Sequence, residues 1–527
     1  MKAELRDALE FVFPDSTVSD RPVRSLGVAV ARGATASVHV LLNGLAEGKP
    51  VHASVAAGGK AASAAAWFRL VDVPVEKNTG PVSFVEREGD VNPFVIRRAP
   101  FRVYDAMAPM GSVVEATAPT MALRLHVAIP ADARPGRRRY TLRIEQGGEC
   151  RRLNFAVDVH RAVVAPAGRE SFIYTNWFSL GNMASRHGLR PWSEPHWRMI
   201  RRYAELMAHA RQNTFLCPLG DFFRMERGQP VLDRVRLRRI VRTFTNAGMW
   251  TIEGGHLGQR PGGEWNAPAF ELTVAGVVAT STQGNAALAK LAGQLMEEIE
   301  INGWRQRWIQ HVTDEPTDVN AVDYRILSGM VRRHMPGIPI VDATMHLALA
   351  GSVDVWCPQA PEYQRHRKEF EAQRATGDRV WFYTCCFPGG PWLNRLLDME
   401  LLRPALFGWG AALFDLQGFL HWGLNQYGKT HDPFKQSVVP HTGDNFLPAG
   451  DTHVVYPGAG GPWSSLRFEA QREGFEDYEL LHRLREKEPE AAGRIVRLAI
   501  RGFDRYTKSP VALRRARATL LKATDRL

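Results

Sequence analysis

The sequence predicts a β-sandwich, then a (β/α)8 barrel of TIM type, then a helical C-terminal extension. Three observations carry this reading. The chain has 527 residues, more than a single core of about 250–300 residues holds. Up to about residue 165 it reads as short runs of alternating apolar and polar residues. Beyond that point apolar runs of strand length alternate with longer amphipathic stretches. The expected division is 1–165 for the sandwich, 166–482 for the barrel and 483–527 for the extension.

In the first part the candidate strands are 35–42, 51–57, 66–73, 122–129, 140–145 and 153–159. Gly and Pro clusters such as AAGGK and PADARPGRRR separate them, and regular short strands with turn signals suit a sandwich. The segment PADARPGRRRYTLRI is read as a turn feeding an edge strand. No acid pair or metal-binding cluster stands out here, so this part is expected to serve packing or accessory carbohydrate contact.

In the second part the candidate strands are 172–174, 214–217, 250–253, 309–312, 339–342, 353–356, 380–383 and 418–422. Helical stretches 195–211, 232–247, 286–302, 318–334, 361–375 and 400–413 fall between most of them. Eight strands with intervening helices predict a closed parallel barrel. Two last helical stretches, 475–486 and 491–527, are expected to close the barrel and form the tail.

Composition is that of a globular protein, with 45% hydrophobic and 23% charged residues. The net charge is +12, but the arginines are scattered and no nucleic-acid motif accompanies them, so no nucleic-acid partner is expected. Five cysteines without CxxC spacing predict neither a disulfide framework nor a zinc site. No cofactor or metal is expected. No run of 18 apolar residues predicts a membrane span. The opening MKAELRDALEFVFPD lacks an apolar core of signal-peptide length. A cytoplasmic location is therefore expected, although a removed leader would leave the same sequence. Nothing indicates an oligomeric state.

In a parallel barrel the chemistry gathers at the C-terminal ends of the strands. Those ends carry Thr175-Asn176-Trp177, Glu253-Gly254-Gly255-His256, His311-Val312-Thr313-Asp314-Glu315-Pro316, Tyr383-Thr384-Cys385-Cys386 and His421-Trp422-Gly423-Leu424-Asn425, with Asp451 in a later loop. Aromatic rings stack on the C–H faces of sugars, and planar polar groups meet their hydroxyls. A phosphate-binding GxxxxGK[ST] loop, a GxSxG nucleophile elbow and HExxH spacing are all absent. A carbohydrate substrate is therefore expected.

Asp314 and Glu315 are the sharpest feature. Pro316 biases Glu315 towards an extended conformation. Neighbouring strand residues point to opposite faces, so a turn or bulge is needed to bring both carboxyls into one pocket. Spacing alone leaves a second reading open, in which Asp or Thr caps the helix beginning near Asp318.

The ordered segments HVTDEP, WFYTCCFPGGPWLN, GFLHWGLNQY, GDTHVVYPG and SLRFEAQREGFEDYELL, spread over about 172–481, resemble glycoside hydrolase family 123. The resemblance implies a β-N-acetylgalactosaminidase with a sandwich before its barrel and a retaining, substrate-assisted mechanism. It implies Glu315 as general acid/base and Asp314 as the residue orienting the 2-acetamido group. Substrate-assisted families need no carboxylate nucleophile, which lets the two acids be neighbours. Glu315 must then begin protonated, so a raised pKa is expected.

Trp422 is expected to wall the pocket and Tyr383 to meet the acetamido carbonyl. Asn425 and Asp451 are candidates for sugar hydroxyls, Trp177 and Trp392 for rim aromatics, and His256 for a further substrate contact. His311 is read as a core histidine, and Arg467, Glu473, Asp477 and Tyr478 as a structural network. Two departures from the family pattern, Gly450-Asp451-Thr452 and the Cys385-Cys386 pair, bear on sugar specificity. A glycosidase for another sugar and a non-catalytic carbohydrate-binding protein of the same fold stand as alternatives.

Overall fold

A computed structural model describes residues 1–62 and 64–527. The first 163 residues form two sheets. Their main strands are β1 (Lys2–Asp7), β2 (Ser25–Arg32), β3 (Thr35–Asn43), β4 (Pro50–Ala57), β5 (Ala65–Val75), β6 (Phe101–Met110), β7 (Thr120–Ala128), β8 (Gly136–Gln146) and β9 (Glu149–Val163). One sheet has the order β1-β3-β7-β5-β6, the other β2-β9-β8-β4.

β8 is not the edge strand read from sequence. It pairs on one side with β9 and on the other with β4. Its arginines face solvent across the sheet rather than beyond its edge, and its second half alternates buried and exposed residues. β1, β2 and β6 were not among the expected strands. Six consecutive residues of β6 are buried, so it has no alternation to read.

The first sheet is covered on both faces. Val38, Val40, Leu42, Leu123 and Leu125 pack into the sandwich core. Leu41, Leu70, Tyr104, Met107 and Ala122 face the other way, into the core of the barrel. Strand side chains alternate between faces, so the sheet is the middle of three layers. No side of it is left to solvent.

The barrel strands are β10 (Ile173–Asn176), β11 (Thr214–Cys217), β12 (Thr251–Gly254), β13 (Trp308–Gln310), β14 (Val341–Asp342), β15 (Val355–Trp356), β16 (Arg379–Tyr383) and β17 (Gly418–His421). Their order, β13-β12-β11-β10-β17-β16-β15-β14, is that of a rolled parallel sheet. It closes where Gln310 bridges Ile340 and its N–H donates to Pro339 O at 2.9 Å. Both faces of such strands are covered, which is why they read as unbroken apolar runs.

The covering helices include α1 (Glu194–His209), α2 (Arg234–Asn246), α3 (Thr282–Ile301), α4 (Ala321–His334), α5 (Arg367–Ala375), α6 (Phe407–Phe414) and α7 (Leu466–Lys487). Ser side chains cap α1, α3 and α7 by accepting from backbone N–H groups. Between β14 and β15 a single 3-10 turn, Leu347–Leu349, replaces the helix.

α7 crosses residue 482, where the extension was expected to begin. The tail is not one helical stretch either. A hairpin, Ile500–Gly502 with Arg505–Tyr506, separates α8 (Pro489–Ala499) from α9 (Pro510–Thr524). α9 returns to the sandwich, where Arg514 meets Asp7 at 2.8 Å and the Asp525 carboxylate accepts from Ala162 N at 3.0 Å. Among the described residues no helix is long and apolar enough to cross a membrane.

Candidate active site

The acid pair lies just beyond β13. The helix-capping role left open by the spacing falls to Thr317. It opens the turn Asp318–Asn320, and its N–H donates to Asn320 Oδ1 at 2.8 Å. Asp314 and Glu315 are thereby free of the helix. Glu315 is not extended as Pro316 suggested; its φ is +40°. That region costs a non-glycine residue about 1–3 kcal/mol and persists only where neighbours fix it. Arg260 Nη1 and Nη2 donate to the carbonyls of Asp314 and Glu315, each at 2.7 Å. Thr344 Oγ1 donates to the Pro316 carbonyl at 3.0 Å. The turned backbone resolves the parity problem of adjacent strand residues, and both carboxyls line one pocket.

The two acids sit in different surroundings. Burial, then the neighbouring Asp314 charge, pushes Glu315 up to about 7, against the Tyr383 hydrogen bond and the Arg260 charge. The Tyr383 hydroxyl donates to Glu315 Oε1. The Asp314 side chain is 54% exposed and lies 3.9 Å from His256 Nε2. Near neutral pH one acid is poised to hold a proton while the other faces water.

Behind Asp314 runs a buried relay. His311 donates from Nε2 to Glu253 at 2.6 Å and from Nδ1 to Asp342 at 2.8 Å. Burial alone would lower its pKa, but the two carboxylates hold it up at about 10. Trp177 Nε1 and Thr175 Oγ1 also donate to Glu253, at 2.8 and 2.5 Å, and the Tyr324 hydroxyl donates to Asp342 at 2.5 Å. His256, His311 and Asp342 are close enough together to suggest a metal site. Both His311 nitrogens, however, already have carboxylate partners, so the arrangement suits a fixed imidazolium better than a ligand set. Burial and the His311 charge push His256 down, leaving it neutral.

The pocket holds about 370 Å³ and is lined by Trp177, Trp265, Asp314, Glu315, Ala343, Tyr383, Cys385, Cys386, Leu420, Trp422, His441 and Leu447. Its carboxylates are Asp314 and Glu315, and no Lys or Arg lines it. Three larger grooves lie away from the strand ends: one of about 620 Å³ between the sandwich and α9, one of about 710 Å³ on the sandwich, and one of about 440 Å³ between α1 and α2. Most of their charges face partners across salt bridges, as in Arg514–Asp7 and Arg143–Glu145.

Residues 267–484 match the glycoside hydrolase 123 catalytic domain. Over those residues the chain is similar to the family 123 catalytic domain. The match begins after β12, so the first three barrel strands lie outside it. The solved structure of a family 123 glycoside hydrolase from Clostridium perfringens aligns with 100% of this chain and 97% of its own, with a TM-score of 0.74 at 12% identity. It shares the whole fold, sandwich included. An endo-β-1,4-mannanase from Thermotoga petrophila aligns with 59% of this chain and 78% of its own, at 12% identity and a TM-score of 0.38. A β-glucuronidase from Parabacteroides merdae aligns with 90% and 51%, at 11% identity and a TM-score of 0.32. No curated protein matches the sequence.

Of the residues singled out from the sequence, Asp314, Glu315, Tyr383, Trp422 and Trp177 meet in the pocket. Tyr383 spends its hydroxyl on Glu315. His256 stands behind Asp314, edge-on to Trp177 with ring centroids 5.2 Å apart. Asn425 and Asp451 do not reach the pocket, contrary to expectation. Asn425 is fully buried; its Oδ1 accepts from Ser179 N at 2.8 Å and its Nδ2 donates to Ser179 O at 3.2 Å. Asp451 is also fully buried, and burial pushes it up to about 7 against the charges of Arg395 and Arg467. Trp392 packs on the core, and its carbonyl accepts from Arg403 at 2.9 Å.

The sequence reading missed Trp265, Arg260, His441 and Leu447. Trp265 and Arg260 lie in the aperiodic loop QRPGGEWNAP, where a Trp among Gly and Pro just after a barrel strand was the available signal. His441 is held from the sandwich side. Phe84 stacks on its ring at 5.8 Å, and Phe84 N donates to Cys386 O at 3.1 Å. The Phe84 loop is itself anchored where Thr79 Oγ1 donates to the buried Asp398 at 2.7 Å.

Proposed function

We propose that this protein is a retaining glycoside hydrolase that removes terminal β-linked N-acetylgalactosamine with the substrate's 2-acetamido group as nucleophile. One observation carries the reading. The two carboxylates lining the pocket are consecutive residues on one wall, and the more buried of them titrates near 7. A retaining pair with a carboxylate nucleophile needs its carboxyls about 5–5.5 Å apart, flanking the bond. Neighbours on one turn suit a division of labour on the same face of the sugar instead.

In the first step the acetamido oxygen attacks the anomeric carbon as the glycosidic bond breaks. Glu315 gives its proton to the departing oxygen. Asp314, ionised, accepts from the amide N–H and balances the positive charge that develops on the oxazolinium ring. In the second step Glu315, now a carboxylate, takes a proton from water as the water opens the ring. This restores both the acetamido group and the acid. The Tyr383 hydroxyl holds Glu315 in place through both steps, and Trp177, Trp265 and Trp422 offer faces for the sugar ring. The Clostridium perfringens enzyme is described as hydrolysing glycolipid glycans. We extend that substrate class to this chain.

The test is turnover of 4-nitrophenyl 2-acetamido-2-deoxy-β-D-galactopyranoside by the wild type and by Glu315→Gln. Failure to turn over any 2-acetamido glycoside, or full activity in the variant, would sink the reading. A thiazoline analogue of the oxazoline should inhibit competitively. Indifference to it, with activity on sugars lacking the acetamido group, would point to a different glycosidase.

A further inference from the structure

We infer that Arg260 is a positioning residue that locks the acid pair into its working conformation and ties it to Trp265 on the pocket rim. The inference rests on the proposed reaction and adds a residue to it.

Three donors of one guanidinium reach three carbonyls. Nη1 donates to Asp314 O and Nη2 to Glu315 O, both at 2.7 Å, and Nε donates to Trp265 O at 3.0 Å. The same group lies over the Trp265 ring, 4.2 Å from its centroid. In an extended strand, successive side chains and successive carbonyls point in opposite directions. One planar fork can catch the carbonyls of two consecutive residues only where the chain has turned, and Glu315, at φ +40°, is that turn. The clamp and the turn therefore imply each other. The turn is also what lets both carboxyls face the pocket. Arg260 bonds to backbone carbonyls and leaves the carboxyls free for substrate. A lysine would place a charge there without the fork.

The link to Trp265 has a second consequence. Trp265 lines the pocket, and its ring is 49% exposed. A sugar seated on that ring presses on the group that holds the acids. The nearest titratable neighbours of Glu315 are Asp314 beside it, Tyr383 and Cys385 on β16 and its end, Cys357 after β15, and Arg260. Arg260 is the cation among them, so its removal should be visible in the titration of Glu315.

The experiment compares wild type, Arg260→Met, Arg260→Lys and Trp265→Leu on the nitrophenyl glycoside across pH, with folding checked by circular dichroism. Arg260→Met should lower kcat roughly a hundredfold, the scale of about a 1 Å misplacement, with KM within about threefold. Its alkaline limb should move to higher pH as Glu315 loses a nearby positive charge. Arg260→Lys should leave the limb in place, yet recover no more than about a tenth of kcat, because the fork is missing. Arg260→Met with kcat within twofold of wild type, or with an unmoved limb, overturns the inference.

Should the Arg260 variants fail to fold, Trp265→Leu decides. A fall in kcat of at least about threefold beside a raised KM supports the tie to the rim, and a change in KM alone refutes it. A wild type inert towards every 2-acetamido sugar counts against the proposed reaction. An active wild type whose kinetics ignore Arg260 counts against this inference alone.

Discussion

Two sets of buried carboxylates are treated in opposite ways. At the seam between sandwich and barrel, four buried acids have guanidinium partners. Asp105 meets Arg467 at 3.0 Å, Glu469 meets Arg472 at 2.9 Å, Glu473 meets Arg517 at 2.6 Å and Asp477 meets Arg517 at 2.8 Å. Despite burial, Arg514 and then Arg517 hold Glu473 below the usual carboxylate range, and His209 and then Arg472 hold Glu469 well below it. Asp477 is the exception, at about 6, because burial and the Glu473 charge outweigh its arginine. In the pocket, Glu315 has a phenol and a guanidinium that is spent on backbone, and it rises to about 7. Compensated charge holds layers together. Charge left short of compensation is available for proton transfer.

That contrast can be broken from either side. The largest effect should come from Glu315→Gln, which leaves the pocket's shape but removes its proton. We expect kcat to fall by about 10²–10⁴-fold with the melting temperature kept or raised, read by steady-state kinetics and thermal unfolding. Arg517→Met attacks the seam instead. It strands Asp477 and leaves Glu473 with Arg514 alone, and urea denaturation should show a loss of about 3–5 kcal/mol with kcat per folded molecule unchanged. The stranded Asp477 would have a folded pKa still further above its unfolded one. The favourable contribution of such groups is complete at acid pH and lost as pH rises, so the deficit should widen on the alkaline side.

Smaller changes sharpen the comparison. Tyr383→Phe removes the hydrogen bond that lowers Glu315. The alkaline limb of kcat/KM should move to higher pH, with kcat lower by roughly tenfold, the worth of one hydrogen bond to a charged group. The smallest effect is expected at Asp451, buried and raised to about 7. Its folded pKa lies above the unfolded value, so its contribution to stability falls as pH rises through 7. Asp451→Asn should stay within about 1 kcal/mol of wild type at pH 4 and flatten the decline between about pH 4 and 7 in denaturant titrations.

The barrel was legible because its strands are covered on both faces. Thr214–Cys217 was read to the residue, and the other seven strands overlap their expected positions. The acid pair was legible from adjacency beside a proline at a strand end. What escaped depends on contacts distant in sequence. β6 alternates with nothing because it lies between two cores. Glu315 looked extended because a proline's local bias is visible in sequence, whereas a guanidinium from residue 260 is not. Asn425 beyond the last barrel strand and Asp451 in a later loop had the right chemistry, yet both are fully buried. Trp265 and His441 reach the rim on loops with no period to read, and Phe84 of the sandwich sets the second of them.

The middle sheet, covered by one core on each face, bears on how such a protein is inherited and engineered. A module that travels between proteins needs a surface of its own at the cut. Here a cut after residue 165 would bare Leu41, Leu70, Tyr104 and Met107 on one piece and the apolar cluster they join on the other, and would part Arg467 of α7 from Asp105. Phe84, which sets one edge of the pocket, would leave with the sandwich. The sandwich and the barrel therefore form one structural unit. Recombination that shuffles barrels among accessory domains would have to carry this sandwich with its barrel.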